Sequence, residues 1–175
     1  MPDSIRENDS DVLAFVAEHG IKSVLDIGAG MGTYGKLLKS EVAHIDAVEV
    51  WQPYIDMFNL RYVYDQVIQA DARHLGSSDF ENYDMVIFGD VLEHMTAEES
   101  LAVWDMASVA RFTMLSVPII HFPQGELWNN PYEVHQQEHL HPEDLERDYG
   151  PFVARWEYQI TGTFIKENDW QKREE

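Results

Sequence analysis

The residues most able to do chemistry sit in residues 24–35, VLDIGAGMGTYG. Apolar and β-branched residues around Asp26 make a short buried strand. The strand breaks into a turn holding Gly28, Ala29, Gly30 and Gly32, after which Tyr34, Leu37 and Leu38 recur on one helical face. A strand that gives way to glycines and restarts as a helix brings bare backbone N–H groups against a ligand. A nucleotide-like cofactor is the expected occupant.

Acidic residues recur at matching places downstream. Residues 44–50 read as a second strand, and Glu49 closes it about 20 residues after the glycines, where a carboxylate accepts hydrogen bonds from both ribose hydroxyls. Residues 67–72 read as a third strand ending in Asp71 and Ala72. Residues 83–94, YDMVIFGDVLEH, supply a fourth strand and its exit loop, with Asp90 and His94. In a sheet built by β-α alternation, ligands bind beyond the carboxyl ends of the strands, where the strand order reverses. The glycine turn, Glu49, Asp71 and Asp90 all fall at such ends, which predicts one shared pocket.

Two cofactors fit this frame. The letters G-x-G-x-x-G occur at Gly30, Gly32 and Gly35, but the first glycine of a dinucleotide fingerprint should follow the strand directly. Gly28 holds that place, and the position that would then need the third glycine is Thr33. The other parse, Asp26-x-Gly28-x-Gly30-x-Gly32, resembles the first motif of the class I S-adenosylmethionine-dependent methyltransferases. Residues 83–95, YDMVIFGDVLEHM, are similar to the fourth motif of that family, and the resemblance runs in order through four sites over residues 24–118. It implies S-adenosyl-L-methionine as cofactor, with Asp26 setting an acidic neighbourhood for the methionine ammonium. It further implies Gly28, Ala29, Gly30 and Gly32 as the turn, Glu49 and Val50 at the ribose, Asp71 and Ala72 near the adenine, and Asp90 and His94 bordering the cofactor.

The substrate side is expected in residues 119–141, IIHFPQGELWNNPYEVHQQEHLH, which is long for a βα connection. It resembles the loop after the fifth strand of small stand-alone methyltransferases. Its histidines support three readings. His135 or His139 acts as general base on a hydroxyl, amine or carboxylic acid acceptor. Alternatively His135 and His139, at i and i+4 in a helix, bind a metal with Glu133 or Glu138. In the third, all are hydrogen-bonded residues shaping a lid. His135 and His139 are taken as the catalytic candidates, with no metal assigned.

Composition bounds the function. A chain of 175 residues forms one domain around one sheet. It has no cysteine, which excludes disulfides and thiolate metal sites. No apolar run approaches membrane-spanning length, and the polar N-terminus is unlike a secretory signal, so a cytoplasmic location is expected. There are 32 Asp and Glu against 12 Lys and Arg, a formal net charge of −20. Such a surface repels phosphate backbones, so the expected partner is a small-molecule acceptor, not nucleic acid or membrane.

The elements that must position these residues follow from periodicity and punctuation. We expect a doubly wound, mostly parallel, Rossmann-like seven-stranded sheet with helices on both faces and a C-terminal antiparallel hairpin over residues 152–166. Helices are expected over 11–19, over 51–60 with Pro53 in the first turn, and after Thr96, where Glu99 completes a capping box. The domain is expected over 9–167, with residues 1–8 and 168–175 flexible. The function expected is methyl transfer to a small molecule or exposed group by in-line displacement. The alternatives are a non-catalytic S-adenosylmethionine-binding partner subunit, an NAD(P)-dependent oxidoreductase, or aminopropyl transfer.

Overall fold

The structure is a computed structural model that describes residues 6–170. The expected flexibility of residues 1–5 and 171–175 lies outside the described residues. Seven strands form one sheet in the order β3-β2-β1-β4-β5-β7-β6. They are β1 (Ser23–Ile27), β2 (His44–Glu49), β3 (Gln66–Gln69), β4 (Met85–Gly89), β5 (Phe112–Pro118), β6 (Ala154–Glu157) and β7 (Thr161–Glu167). Strands β1 to β5 pair in parallel. The final hairpin enters with β7 antiparallel to β5 and β6 on the outer edge. The expected doubly wound sheet and terminal hairpin are therefore present.

The central strands read as continuous apolar runs because both of their faces are covered. Along β4, Val86 and Phe88 pack with Val103 and Trp104 of α5 (Ala97–Ala107) and Leu145 of α6 (Pro142–Asp148). Met85 and Ile87 point the other way. They meet Val12 and Phe15 of α1 (Asp9–Glu18) and Tyr34 and Leu38 of α2 (Thr33–Leu38). α5 starts as expected: Thr96 Oγ1 accepts from the Glu99 N–H and Glu99 Oε2 accepts from the Thr96 N–H.

Three expectations about extent are corrected. The single helix over 51–60 is two short helices, α3 (Gln52–Met57) and α4 (Leu60–Val63), separated where Asn59 turns left-handed at φ 53°. Asn tolerates that conformation and ends a helix there. Residues 6–8 are not loose: Asn8 is buried and its amide donates to Tyr34 Oη at 3.1 Å and Thr163 Oγ1 at 2.7 Å. At the other end, Asn168 is tied down by its N–H to the Arg111 carbonyl and its amide to the Ala110 carbonyl. Polar residues are expected outside because they rarely face a core; these two are held there by their side-chain amide hydrogen bonds.

Candidate active site

Strand order reverses between β1 and β4, and a cavity of about 570 Å³ opens there beyond the carboxyl ends of the strands. Its floor is the turn after β1. Gly28, Gly30 and Gly32 all have positive φ, at 70°, 50° and 75°. A Cβ on Gly28 would stand 2.6 Å from Val91 Cγ2, so glycine is demanded by both backbone and space.

The turn does not work by offering its N–H groups, as its sequence suggests. Gly28 and Ala29 donate to the Val48 carbonyl at 2.8 and 3.3 Å, Gly32 donates to the Ala29 carbonyl, and Gly30 donates to Glu49 Oε2 at 2.9 Å. Strand β2, its terminal carboxylate and the turn's own Ala29 carbonyl consume these donors. What the glycines supply is a bare backbone surface for close approach.

Glu49 is buried, and its other oxygen accepts from the Trp51 N–H at 2.8 Å. Burial pushes its pKa up, opposed by those backbone donors. Each carboxylate oxygen still has a lone pair available to a ligand hydroxyl. Glu49, Val50, Asp71, Ala72, Asp90 and His94 all line the cavity, as do Gly28, Ala29 and Gly30. Asp71 is already engaged: Arg73 Nε and Nη2 donate to its two oxygens at 2.9 and 2.6 Å, and this pairing holds its pKa down. Asp90 leaves β4 with a left-handed backbone at φ 51° and lines the cavity.

Asp26 and Gly32 do not line the cavity. Asp26 lies beneath the turn, where Tyr64 Oη donates to its Oδ2 at 2.5 Å and accepts from the Gly35 N–H at 3.2 Å. Burial pushes the Asp26 pKa up to about 7 against the lowering effect of Tyr64, with Glu49 adding to the rise. Gly32 caps α2 and faces Leu60. Both shape the turn from behind.

The opposite wall comes from the segment after β5. It folds back over the short turn Leu92–His94, with the Gln136 and Gln137 N–H groups donating to the Glu93 carbonyl at 2.8 and 3.0 Å. The Gln137 side-chain amide donates to the Leu92 and Met95 carbonyls. Gln124 bridges the two limbs of the loop: its carbonyl accepts from the His135 N–H and its amide donates to the Glu133 carbonyl.

This folding separates the two catalytic candidates. His135 is buried and lines the cavity; its Nδ1 donates to the Phe122 carbonyl at 2.6 Å, which leaves Nε2 as its lone-pair atom. His139 is exposed and stands outside the cavity, in ring contact with His121 and His141. The i, i+4 argument fails because the segment holds only one short 3-10 turn, Pro131–Glu133, so the two rings do not share a helical face. His135 instead meets His94, ring centroids 4.8 Å apart. Sequence reasoning missed Glu93 and Tyr64. A carboxylate beside His94 in the same strand exit was the available signal for Glu93; nothing local marks Tyr64.

Comparisons with known proteins agree with this architecture. A family model described as "Methyltransferase domain" matches residues 25–111. No curated protein matches the sequence. Among solved structures, the PH0226 protein from Pyrococcus horikoshii OT3 superposes with a TM-score of 0.71 at 15% identity, covering 94% of this chain and 90% of that one. An S-adenosylmethionine-dependent methyltransferase from Clostridium acetobutylicum ATCC 824 gives 0.68 at 8% identity over 91% and 90%. Magnesium protoporphyrin IX methyltransferase from Synechocystis PCC 6803, with bound S-adenosylhomocysteine, gives 0.65 at 18% identity over 94% and 83%. These likenesses concern the fold. With the methyltransferase-domain match over residues 25–111 and the strand-end site, this chain is similar in fold and site to the class I S-adenosylmethionine-dependent methyltransferases.

Proposed function

We propose that this chain binds S-adenosylmethionine in the strand-end cavity and transfers its methyl group to a small-molecule acceptor. One observation carries the reading most: Glu49 closes β2 beside a glycine turn whose own N–H groups are satisfied internally. A pyrophosphate needs free N–H donors at a helix N-terminus, whereas a ribose diol needs a carboxylate and a thioether chain needs only a bare surface. The cavity offers the second combination.

When bound, the cofactor supplies an electrophilic methyl group on sulfur. Glu49 would hold the ribose, the backbone of residues 28–30 would take the methionine portion, and Asp71 with Ala72 would take the adenine. Asp26 is a positioning residue: through Tyr64 it fixes the helix start at Gly35. The loop after β5 lines one side of the cavity. His135 presents Nε2 on the acceptor side, and its burial pushes its pKa down, so it is a neutral lone-pair donor at neutral pH. Aligning acceptor and donor does most of the work in such a displacement.

The test is binding. S-adenosylhomocysteine at about 100 times its Kd should stabilise the fold by about 2.7 kcal/mol, raising Tm by roughly 5–10 °C. NAD and NADP should leave Tm unchanged. A nicotinamide-specific shift would overturn the cofactor assignment. With a net charge of −20, submicromolar oligonucleotide affinity in an anisotropy titration would overturn the small-molecule assignment. Among the described residues, no helix is long and apolar enough to cross a membrane.

A further inference from the structure

Glu93, His94 and His135 converge at one end of the cavity, each able to offer one ligand atom, with those atoms all within 4.8 Å of one another. The three come from two segments far apart in sequence, laced together by the Gln136 and Gln137 bonds to the Glu93 carbonyl. Two of their polar atoms, Glu93 Oε2 and His94 Nδ1, are buried without a hydrogen-bond partner. Glu93 is only 1% exposed, and native proteins seldom leave such atoms unmet. We propose that Glu93, His94 and His135 bind one divalent transition-metal cation, whose open coordination positions face an oxygen of the acceptor molecule.

The ring orientations fit this use. Ligating histidines generally donate their second N–H to a carbonyl, which fixes the tautomer and aims the lone pair. His135 does so through Nδ1 to the Phe122 carbonyl, and the His94 ring stands edge-on to the His135 ring at 4.8 Å between centroids.

Ligand bonds of about 2.0–2.2 Å place ligand atoms roughly 3.4 Å apart, so closure needs side-chain movements of about 1 Å. Two imidazoles and one carboxylate favour zinc, cobalt, manganese or iron over magnesium and calcium, which prefer all-oxygen shells. Three protein ligands leave positions for an exogenous oxygen, and a metal so placed lowers the pKa of that oxygen. The Nε2 lone pair of His135 then holds the cation, which takes over the activation that a histidine base would otherwise provide. This part rests on the methyl-transfer reading; the cation site does not.

The experiment is a cobalt(II) titration of chelator-treated protein, followed by its visible absorption and by calorimetry, with S-adenosylhomocysteine thermal shift measured on the same samples. Wild type should bind one cobalt per chain. His94→Ala and His135→Ala should lose more than about 100-fold in affinity, and Glu93→Gln, which keeps the side-chain size and shape, at least about 10-fold. His121→Ala, in the surface cluster with His139, should bind as wild type. The proposal is overturned by the absence of one-to-one cobalt binding in protein that still responds to S-adenosylhomocysteine, which leaves the methyl-transfer reading standing. It is equally overturned if binding is lost in His121→Ala and kept in His135→Ala. Cobalt binding without any S-adenosylhomocysteine shift supports the metal site and sinks the methyl-transfer reading instead.

Discussion

The two walls of the cavity are built by different means. On the cofactor side, the turn after β1 and the end of β2 are neighbours by register, Asp26 opposite Ala47 and Ile27 opposite Val48, and the key bond joins Gly30 to Glu49 across 19 residues. Backbone geometry and a single carboxylate do the shaping. On the acceptor side, a loop without long helices is pinned to the β4 exit by the single Gln137 side-chain amide, across 42 and 45 residues, and by the Gln136 and Gln137 N–H groups on the Glu93 carbonyl. A wall made by strand register is rigid and general, whereas a wall made by a loop can change with the acceptor while the fold stays as it is.

If this division is right, the largest contrast should appear in cofactor affinity. Glu49→Ala removes charge-assisted bonds worth about 1.5–3 kcal/mol, a loss of roughly 10- to 150-fold in S-adenosylhomocysteine binding. Because Glu49 also holds the Gly30 and Trp51 N–H groups, the loss should sit toward the upper end. His135→Ala should stay within about threefold of wild type. Calorimetry showing equal losses in both would mean that the loop closes over the cofactor and that the two walls are one unit.

Stability should separate the walls next. Gly28→Ala forces a left-handed alanine and drives Cβ into Val91, so it should cost at least about 2 kcal/mol in denaturant unfolding. Gly125→Ala, in the loop, meets nothing within 4 Å and should change stability by less than about 0.5 kcal/mol. Similar costs at both positions would place the loop on the same rigid footing as the turn.

A smaller effect should appear in the pH dependence of Tm. Asp26 has a folded pKa of about 7 against an ordinary value of 3.8, so between those values the folded state keeps a proton that the unfolded state has released. Stability therefore falls as pH rises through that window and levels off above it. Asp26→Asn removes this titration, and the slope of Tm between about pH 5 and 7 should flatten relative to wild type. An unchanged slope would show that Asp26 is not carrying its proton beneath the turn.

Most of the cofactor wall was legible in the sequence. Gly28, Ala29, Gly30, Glu49, Val50, Asp71, Ala72, Asp90 and His94 all stand where strand-end logic puts them, because period and punctuation fix which residues end a buried strand. Two details needed the fold. The glycine N–H groups face β2 and not the cavity, and Asp26 supports the turn from beneath through Tyr64. Neither follows from spacing, since each depends on which partner comes within hydrogen-bond reach across the sheet.

The acceptor wall divides differently. Length and composition marked residues 119–141 as functional, but the i, i+4 pairing of His135 with His139 assumed a helix that the loop does not form. Glu93, His94 and His135 meet because a chain reversal carries the loop back onto the β4 exit, and no local pattern records that contact. By itself the sequence determined the parallel core, the strand-end pocket and its Glu49, through hydrophobic period and turn chemistry that act over a few residues. Only the tertiary structure decided which histidine is buried beside which carboxylate, because that depends on long-range loop closure and on the desolvation that comes with it.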